Sequence, residues 1–313
     1  MEIGFTWHHG DPEEWKRAID LRPSWTKFAL AFEGWEQERA QTQRWCELLL
    51  TMGCEPVIDL RTGEFGSFAA SAPADTWEWR RTHWGNDHLF DGFATWAGEV
   101  ARDLRGLCEN FEVWGEAPCL WVGQSFWNGE NYLRMLQATS AAVREAQPAA
   151  LVWFGGHGVN GGVSFWKDVE ERGGGSAYDV QNLHCFMHSR EWSDVELHLR
   201  HMFGEIERAE AASGHAHTLA LTEFGWPTAR DGEAEYTSQV ENAVRGLDED
   251  DAAEWMDASL RVLEECGVAV VNVLMLRDGE GDHWGSHLGL YRRDWSEKPM
   301  LEVVREWIER GRE

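Results

Sequence analysis

The chain has 313 residues, of which 43% are hydrophobic and 27% charged, with a formal net charge of −27 at pH 7. Such acidity argues against a nucleic-acid partner, whose phosphates need basic groups, and against an anionic membrane surface. The length buries a core without disulfide staples, as one large α/β barrel or two smaller domains. No Pro-rich, Ser-rich or low-complexity tract separates two halves.

Short apolar runs alternate along the chain with longer amphipathic segments. Glu2–Trp7 reads as a strand, and Pro12–Asp20 as a helix with Asp11 as N-cap and proline at its first position. Thr26–Phe32 is the second strand, Trp35–Met52 a helix closed by Gly53, and Pro56–Leu60 the third strand. A Gly-, Ser- and Trp-rich stretch from about Arg61 to Leu89 is too long for a mere connection and is a candidate functional loop. The spacing of Phe93, Trp96, Val100 and Leu104 predicts a helix over Asp91–Leu107. Phe111–Trp114 follows as strand four, Glu130–Gln147 as a helix, and Ala150–Phe154 as strand five. Phe165–Glu171 reads as a short helix, Asp179–His184 as strand six, Ser193–Ala212 as a long helix and Thr218–Thr222 as strand seven. Asp251–Cys266 is helical, with the acidic run Asp248–Asp251 either capping its N-terminus, where negative charge is favourable, or simply a solvated surface. Val268–Leu276 is strand eight and Met300–Arg310 the closing helix. Eight strands alternating with helices imply a parallel sheet with right-handed crossovers, and eight units predict a single (β/α)8 TIM barrel over residues 1–313. Neither GxGxxG after the first strand nor a P-loop is present, which weakens dinucleotide and nucleoside triphosphate readings.

No basic or apolar leader precedes the first strand, and no apolar run reaches bilayer length. The expectation is a cytoplasmic protein, with virion association or release by lysis as variants. Six cysteines lack CxxC spacing and read as buried free thiols. Twenty tryptophans are present, many in loop-like segments (Trp77, Trp79, Trp84, Trp121, Trp127, Trp284). Exposed aromatic faces suit the apolar C–H faces of sugars, with loop anchoring the plainer reading for any one of them.

Two strand ends carry a glutamate in aromatic surroundings: Glu116 in Phe111–Pro118 and Glu223 in Leu219–Thr228. Carboxylates at the C-terminal tips of barrel strands face one cleft. Hydrolysis of a glycosidic bond through a covalent intermediate needs two such groups, one protonated to donate and one ionised to attack. A surface or ion-paired residue is the bland alternative for either alone.

The two stretches resemble the acid/base and nucleophile strands of clan A glycoside hydrolases, retaining (β/α)8 enzymes. Trp114-Gly115-Glu116-Ala117-Pro118 is similar to the clan's Trp-Asn-Glu-Pro-like motif, and Thr222-Glu223-Phe224-Gly225-Trp226-Pro227 to its Thr-Glu-Phe-Gly-like motif. The resemblance extends to Gly155-Gly156, to Asp179 and His184, and to Arg277-Asp278, Gly289-Leu290-Tyr291 and Lys298-Pro299. It thus runs from strand three or four to the C-terminus, with the first quarter agreeing in architecture only. It implies Glu116 as general acid/base, Glu223 as nucleophile, no cofactor, and an oligo- or polysaccharide substrate contacted by Trp114, Gly115, His157, Asn182, His184, Phe186, Trp226 and Trp284.

The departures bear on specificity. Gly115 stands where the clan has Asn, Phe186 where it has Tyr, and aliphatics near Val273-Leu274 where it often has Trp. The clan's strand-two Arg has no evident counterpart around Ala29. Each lost transition-state hydrogen bond is worth roughly 2–4 kcal/mol of barrier lowering. The site is then either rebuilt for another sugar, with an axial 2-hydroxyl or a bulky 2-substituent that fits where Gly115 leaves room, or it is catalytically silent. A silent barrel would be a carbohydrate-binding or structural module, for example in a virion or surface assembly. A metal-dependent barrel hydrolase is the third reading. His8-His9, His83, His88, His184, His188, His283 and His287 fall in or near strand ends, but adjacent His8 and His9 point to opposite sides of a strand. His215 and His217 precede strand seven, at the far end of the barrel.

Overall fold

The computed structural model describes residues 1–7, 12–31, 35–61, 88–117, 128–158, 162–186, 191–230, 234–237 and 244–312. The N-cap expected at Asp11, the Trp-rich stretch from 62 to 87, Pro118, Cys119, Trp121, Trp127, His8, His9, His83 and His188 lie outside the described residues.

The first half of the chain forms β1 (Glu2–Trp7), α1 (Pro12–Leu21), β2 (Trp25–Ala31), α2 (Trp35–Thr51), β3 (Glu55–Arg61), α3 (His88–Asp103), β4 (Asn110–Val113) and α4 (Gly129–Ala146). The second half forms β5 (Leu151–Phe154), α5 (Gly162–Glu171), β6 (Val180–Phe186), α6 (Trp192–Ser213), β7 (Thr218–Gly225), α7 (Glu249–Glu265), β8 (Val268–Val273) and α8 (Met300–Arg310). The strands pair in parallel in the order β5-β4-β3-β2-β1-β8-β7-β6, and Trp153 pairs with Val180 to join β5 to β6 and close the ring. The fold is the expected (β/α)8 barrel. The differences are at element ends: α3 starts at His88 and stops at Asp103, β6 continues past His184 to Phe186, β7 runs on to Gly225, and β8 stops at Val273.

The period-two geometry of strands sorts the side chains. Outward positions such as Ile3, Phe5, Phe28, Ile58, Phe111, Val113, Val152, Leu183, Leu221 and Val271 join the main hydrophobic cluster with the helices. A second apolar cluster contains Val57, Trp153, Val180, Ala220 and Val270, with Trp25 packed against it. Two residues further along these strands the composition reverses: Lys27, Asp59, Asn182, Thr222 and Asn272 are all buried. An apolar layer thus underlies a polar one, and the polar layer faces the strand C-termini.

Of the described cysteines, Cys46, Cys54, Cys108 and Cys185 are buried free thiols and Cys266 is a partly buried one. Burial pushes the Cys46 and Cys185 thiols up to about 12, away from reactivity. Among the described residues no helix is long and apolar enough to cross a membrane.

Candidate active site

The polar layer contains a fully buried lysine. Lys27 on β2 puts its Nζ 2.9 Å from Glu112 Oε2, 3.3 Å from Glu223 Oε1, 3.0 Å from Thr222 Oγ1 and 3.7 Å from Asp59 Oδ2. Burial alone would push its ammonium down, but the charges of Glu112, Glu223 and Asp59 outweigh burial and raise it. Glu112 on β4 is the converse: burial disfavours its charge, yet Lys27, His184 and the Gly156 N–H, 2.9 Å from Oε1, hold it well below the usual carboxylate range. Asp59 on β3 accepts from Arg61, whose guanidinium is raised by Asp59, Glu223 and Glu112 against the effect of burial.

Each of the two strand-end glutamates is aimed by a backbone irregularity. Pairing between β6 and β7 slips by one residue, from Leu183↔Leu221 to His184↔Glu223. This bulge lets consecutive residues, Thr222 and Glu223, both reach the polar layer. Thr222 is fixed by Asn182, which accepts from its N–H at 3.0 Å and donates to its hydroxyl at 2.8 Å. Past β4 the chain turns sharply, with Trp114 at φ 59° and Glu116 at φ 60°. Left-handed backbone is uncommon for non-glycine residues and persists only where neighbours hold it. Here Trp114 N–H donates to Leu60 O at 2.9 Å, Gly115 N–H to Asp59 Oδ1 at 3.1 Å, and Glu116 N–H to Gly156 O at 2.6 Å. Tyr132 braces the turn from α4, donating to Val113 O at 2.8 Å and accepting from Gly155 N–H at 2.7 Å.

His184 lies between the glutamates. Its Nδ1 is 2.9 Å from Glu116 Oε1 and 3.4 Å from Glu223 Oε2, and its Nε2 is 3.1 Å from both Thr222 Oγ1 and Lys27 Nζ. Gly156 makes room for the ring, since a Cβ there would come within 2.0 Å of Nε2. Burial would lower the imidazole, but Glu223, with hydrogen bonds to Glu112 and Glu116, prevails over burial and Lys27 and pushes it up to about 9. The metal-binding atoms of Glu116, His184 and Glu223 all lie within 4.8 Å of one another, the set among the described residues that could hold a cation. The Lys27 ammonium on Glu223 opposes a dication there.

The remaining sequence-predicted residues separate into layers. Asn182 is fully buried two residues before His184 on the same strand face, and His157 is fully buried level with Leu183, 2.8 Å from Gln181, its imidazole pushed down to about 3 by burial and by His184. Trp114 and Trp226 are corrected: their rings belong to the core, 2% and 1% exposed, against Phe93 and Phe224, and offer no face to a sugar. Phe186 and Trp284 are half-buried and in contact, with ring centroids 5.2 Å apart and planes tilted by 60°. Of the histidines weighed as ligands, His215 and His217 lie at the opposite end, before β7, and His283 and His287 lie beyond β8.

Two readings of the departures also change. Gly115 leaves no room: a Cβ there would stand 2.7 Å from Asp59 Oδ2 and 3.0 Å from Glu112 Oε1. The volume next to the glycine is filled from β3 and β4. Strand two does supply a cation, two residues before Ala29, as Lys27. Sequence reasoning missed Lys27, Asp59, Arg61 and Glu112. For Asp59 and Glu112 the signal was a charge inside an otherwise apolar strand, as in Phe111-Glu112-Val113.

No protein-family model matches the chain, and no curated protein matches it in sequence. Solved structures do match in fold. A family 39 glycoside hydrolase from the gut symbiont Bacteroides cellulosilyticus WH2 aligns with TM-score 0.67 and 15% identity over 98% of this chain and 63% of its own. An exo-β-1,4-mannosidase from Opitutaceae bacterium strain TAV5 aligns with TM-score 0.68 and 16% identity over 99% of this chain and 59% of its own. A variant of GH5_18 from Streptomyces cattleya in complex with Manβ1-4GlcNAc aligns with TM-score 0.71 and 16% identity over 99% of this chain and 81% of its own. The chain therefore spans about three-fifths of the length of the first two of these proteins. It has the (β/α)8 barrel fold of these solved glycoside hydrolase structures, the fold implied by its resemblance to clan A.

Proposed function

We propose that this protein is a retaining glycoside hydrolase acting on a β-linked glycan or glycoconjugate, with Glu116 as general acid/base and Glu223 as nucleophile. The observation that carries the reading is the approach of their carboxylate oxygens to within 4.8 Å across the barrel mouth. Retaining pairs stand about 5–5.5 Å apart, whereas inverting pairs leave roughly 6.5–9.5 Å for a water. Charge balance supports the same division of labour. Lys27, Arg61 and His184 lie within ion-pair distance of Asp59, Glu112 and Glu223, so three basic groups stand against three acids besides Glu116 in the buried cluster.

In the first step a Glu223 oxygen bonds to the anomeric carbon as the glycosidic C–O bond breaks. The electron pair goes to the leaving oxygen, which takes the Glu116 proton. In the second step Glu116 accepts a proton from water, the water oxygen bonds to the anomeric carbon, and the ester electron pair returns to Glu223. Lys27, 3.3 Å from Glu223 Oε1, gives the attacking carboxylate its counter-charge. Phe186 and Trp284 provide the aromatic surface against which a sugar face stacks.

Trapping with a panel of 2-fluoro glycosides tests the proposal. The mannoside comes first, because structural neighbours include an exo-β-1,4-mannosidase and a complex with Manβ1-4GlcNAc. The expected results are a covalent adduct on Glu223 with at least one sugar and azide rescue of Glu116→Ala. Glycan binding without labelling by any sugar would instead identify a silent carbohydrate-binding barrel, and loss of turnover on chelation a metal-dependent hydrolase.

A further inference from the structure

The two-step reaction moves one negative charge back and forth. It resides on Glu223 before attack, on Glu116 while Glu223 is esterified, and on Glu223 again after hydrolysis. A donor serving only one of these carboxylates would favour one half-reaction at the expense of the other. His184 Nδ1 reaches both, at 2.9 Å and 3.4 Å. Building on the retaining reading above, we infer that His184 is a hydrogen-bond switch whose Nδ1–H follows the charge between Glu223 and Glu116 without the ring having to move.

Three observations carry this inference. First, Nδ1 bears a proton in either charge state of the ring. The Lys27 ammonium, a donor with nothing to accept, sits 3.1 Å from Nε2, so a neutral ring must be protonated on Nδ1, and an imidazolium is protonated on both nitrogens. Second, the ring is fixed. It is 1% exposed, with Gly156 against Nε2 and the Thr222 hydroxyl 3.1 Å from it. Third, His184 meets one oxygen of each carboxylate, Oε1 of Glu116 and Oε2 of Glu223. The charged and titratable groups around the ring are Lys27 from β2, Glu112 and Glu116 from β4 and its turn, His157 after β5, and Glu223 from β7. Asp59 of β3 contacts Lys27 and the turn, and Arg61 contacts Asp59.

His184→Gln removes the donor at the Nδ1 position, while His184→Asn keeps an N–H near it. For His184→Gln, kcat/KM should fall roughly 100-fold, the usual scale for one lost catalytic donor. Both limbs of its pH profile should move to higher pH, because both carboxylates lose the group that favours their charged forms. His184→Asn should hold both limbs near the wild-type positions. A purely structural role would lower the rate without displacing the two limbs together. In the wild type, the ¹⁵N-resolved His184 Nδ1–H resonance should persist on trapping with a 2-fluoro glycoside and shift as the charge passes to Glu116. An unchanged resonance on trapping, or limbs that stay in place in His184→Gln, would overturn the switch. In either case an adduct on Glu223 would leave the glycosidase reading intact, whereas absence of any adduct would remove that reading first.

Discussion

Histidines flanked by glutamate occupy both ends of this barrel. At the closed end His217, just before β7, is 2.9 Å from Glu210 Oε1 through Nδ1 and 2.8 Å from Gly175 O through Nε2, and its ring stacks 4.1 Å from Tyr178. Each nitrogen has one partner, and the arrangement is a staple joining α6 to the turn before β6. At the mouth, one nitrogen of His184 faces two carboxylates, and the other faces a hydroxyl and a lysine. The difference is one of valence. A polar cluster whose donors and acceptors are matched one to one stabilises a single arrangement. One with more acceptors than donors lets a single donor serve either acceptor.

Substitutions at the two ends should therefore separate activity from stability. Glu223→Gln should abolish turnover by roughly 10⁴-fold or more, as removal of a covalent nucleophile does, while thermal unfolding stays near wild type or rises. Retained turnover would remove Glu223 from the chemistry. Lys27→Met should damage both properties, because Glu112 is left buried without its lysine, while Asp59 keeps Arg61. The expected cost is about 3–5 kcal/mol of stability by denaturant unfolding, with activity lost in parallel. If Lys27→Met is as stable as the parent, the charge cluster does not hold the mouth together.

Smaller effects sharpen the contrast. Gly115→Ala and Gly115→Asn should each cost about 1–3 kcal/mol, since the added Cβ meets Asp59 2.7 Å away. Supplying the clan's Asn should then fail to raise kcat/KM, and a gain would show that Asp59 yields readily. At the closed end, Glu210→Gln should leave kcat unchanged and cost about 1 kcal/mol. Its signature is in the pH dependence. Burial opposes the His217 charge, but the Glu210 hydrogen bond and the Gly175 carbonyl prevail and raise its pKa on folding. The stabilisation is thus fully present below the unfolded histidine range and is lost as pH rises through the folded pKa. The difference in midpoint between parent and variant should be largest in mild acid, where His217 is charged against the Glu210 carboxylate, and should shrink as pH rises through the folded His217 pKa.

The alternation of apolar runs and amphipathic segments foretold the barrel, because strand and helix periods are properties of local sequence. Glu116 and Glu223 were legible for a related reason: each interrupts an aromatic, glycine-bearing strand end with a carboxylate. Lys27 was not legible, since Trp25-Thr26-Lys27-Phe28 reads equally well with the lysine facing solvent. Only the closure of eight strands turns that side of β2 towards the axis. Trp114 and Trp226 misled in the opposite sense, for a tryptophan beside a catalytic motif looks like a sugar platform until packing shows its ring in the core.

The sequence alone thus determined the number and order of the βα units and the presence of two strand-end glutamates, because period and spacing act along the chain. Tertiary structure decided what surrounds those glutamates. The bulge at Thr222–Glu223, the turn that holds Glu116, the filling of the space beside Gly115 by Asp59, and the position of His184 between two carboxylates all depend on contacts between distant strands. Pair distances and desolvation set the charges there, and neither exists until the barrel closes.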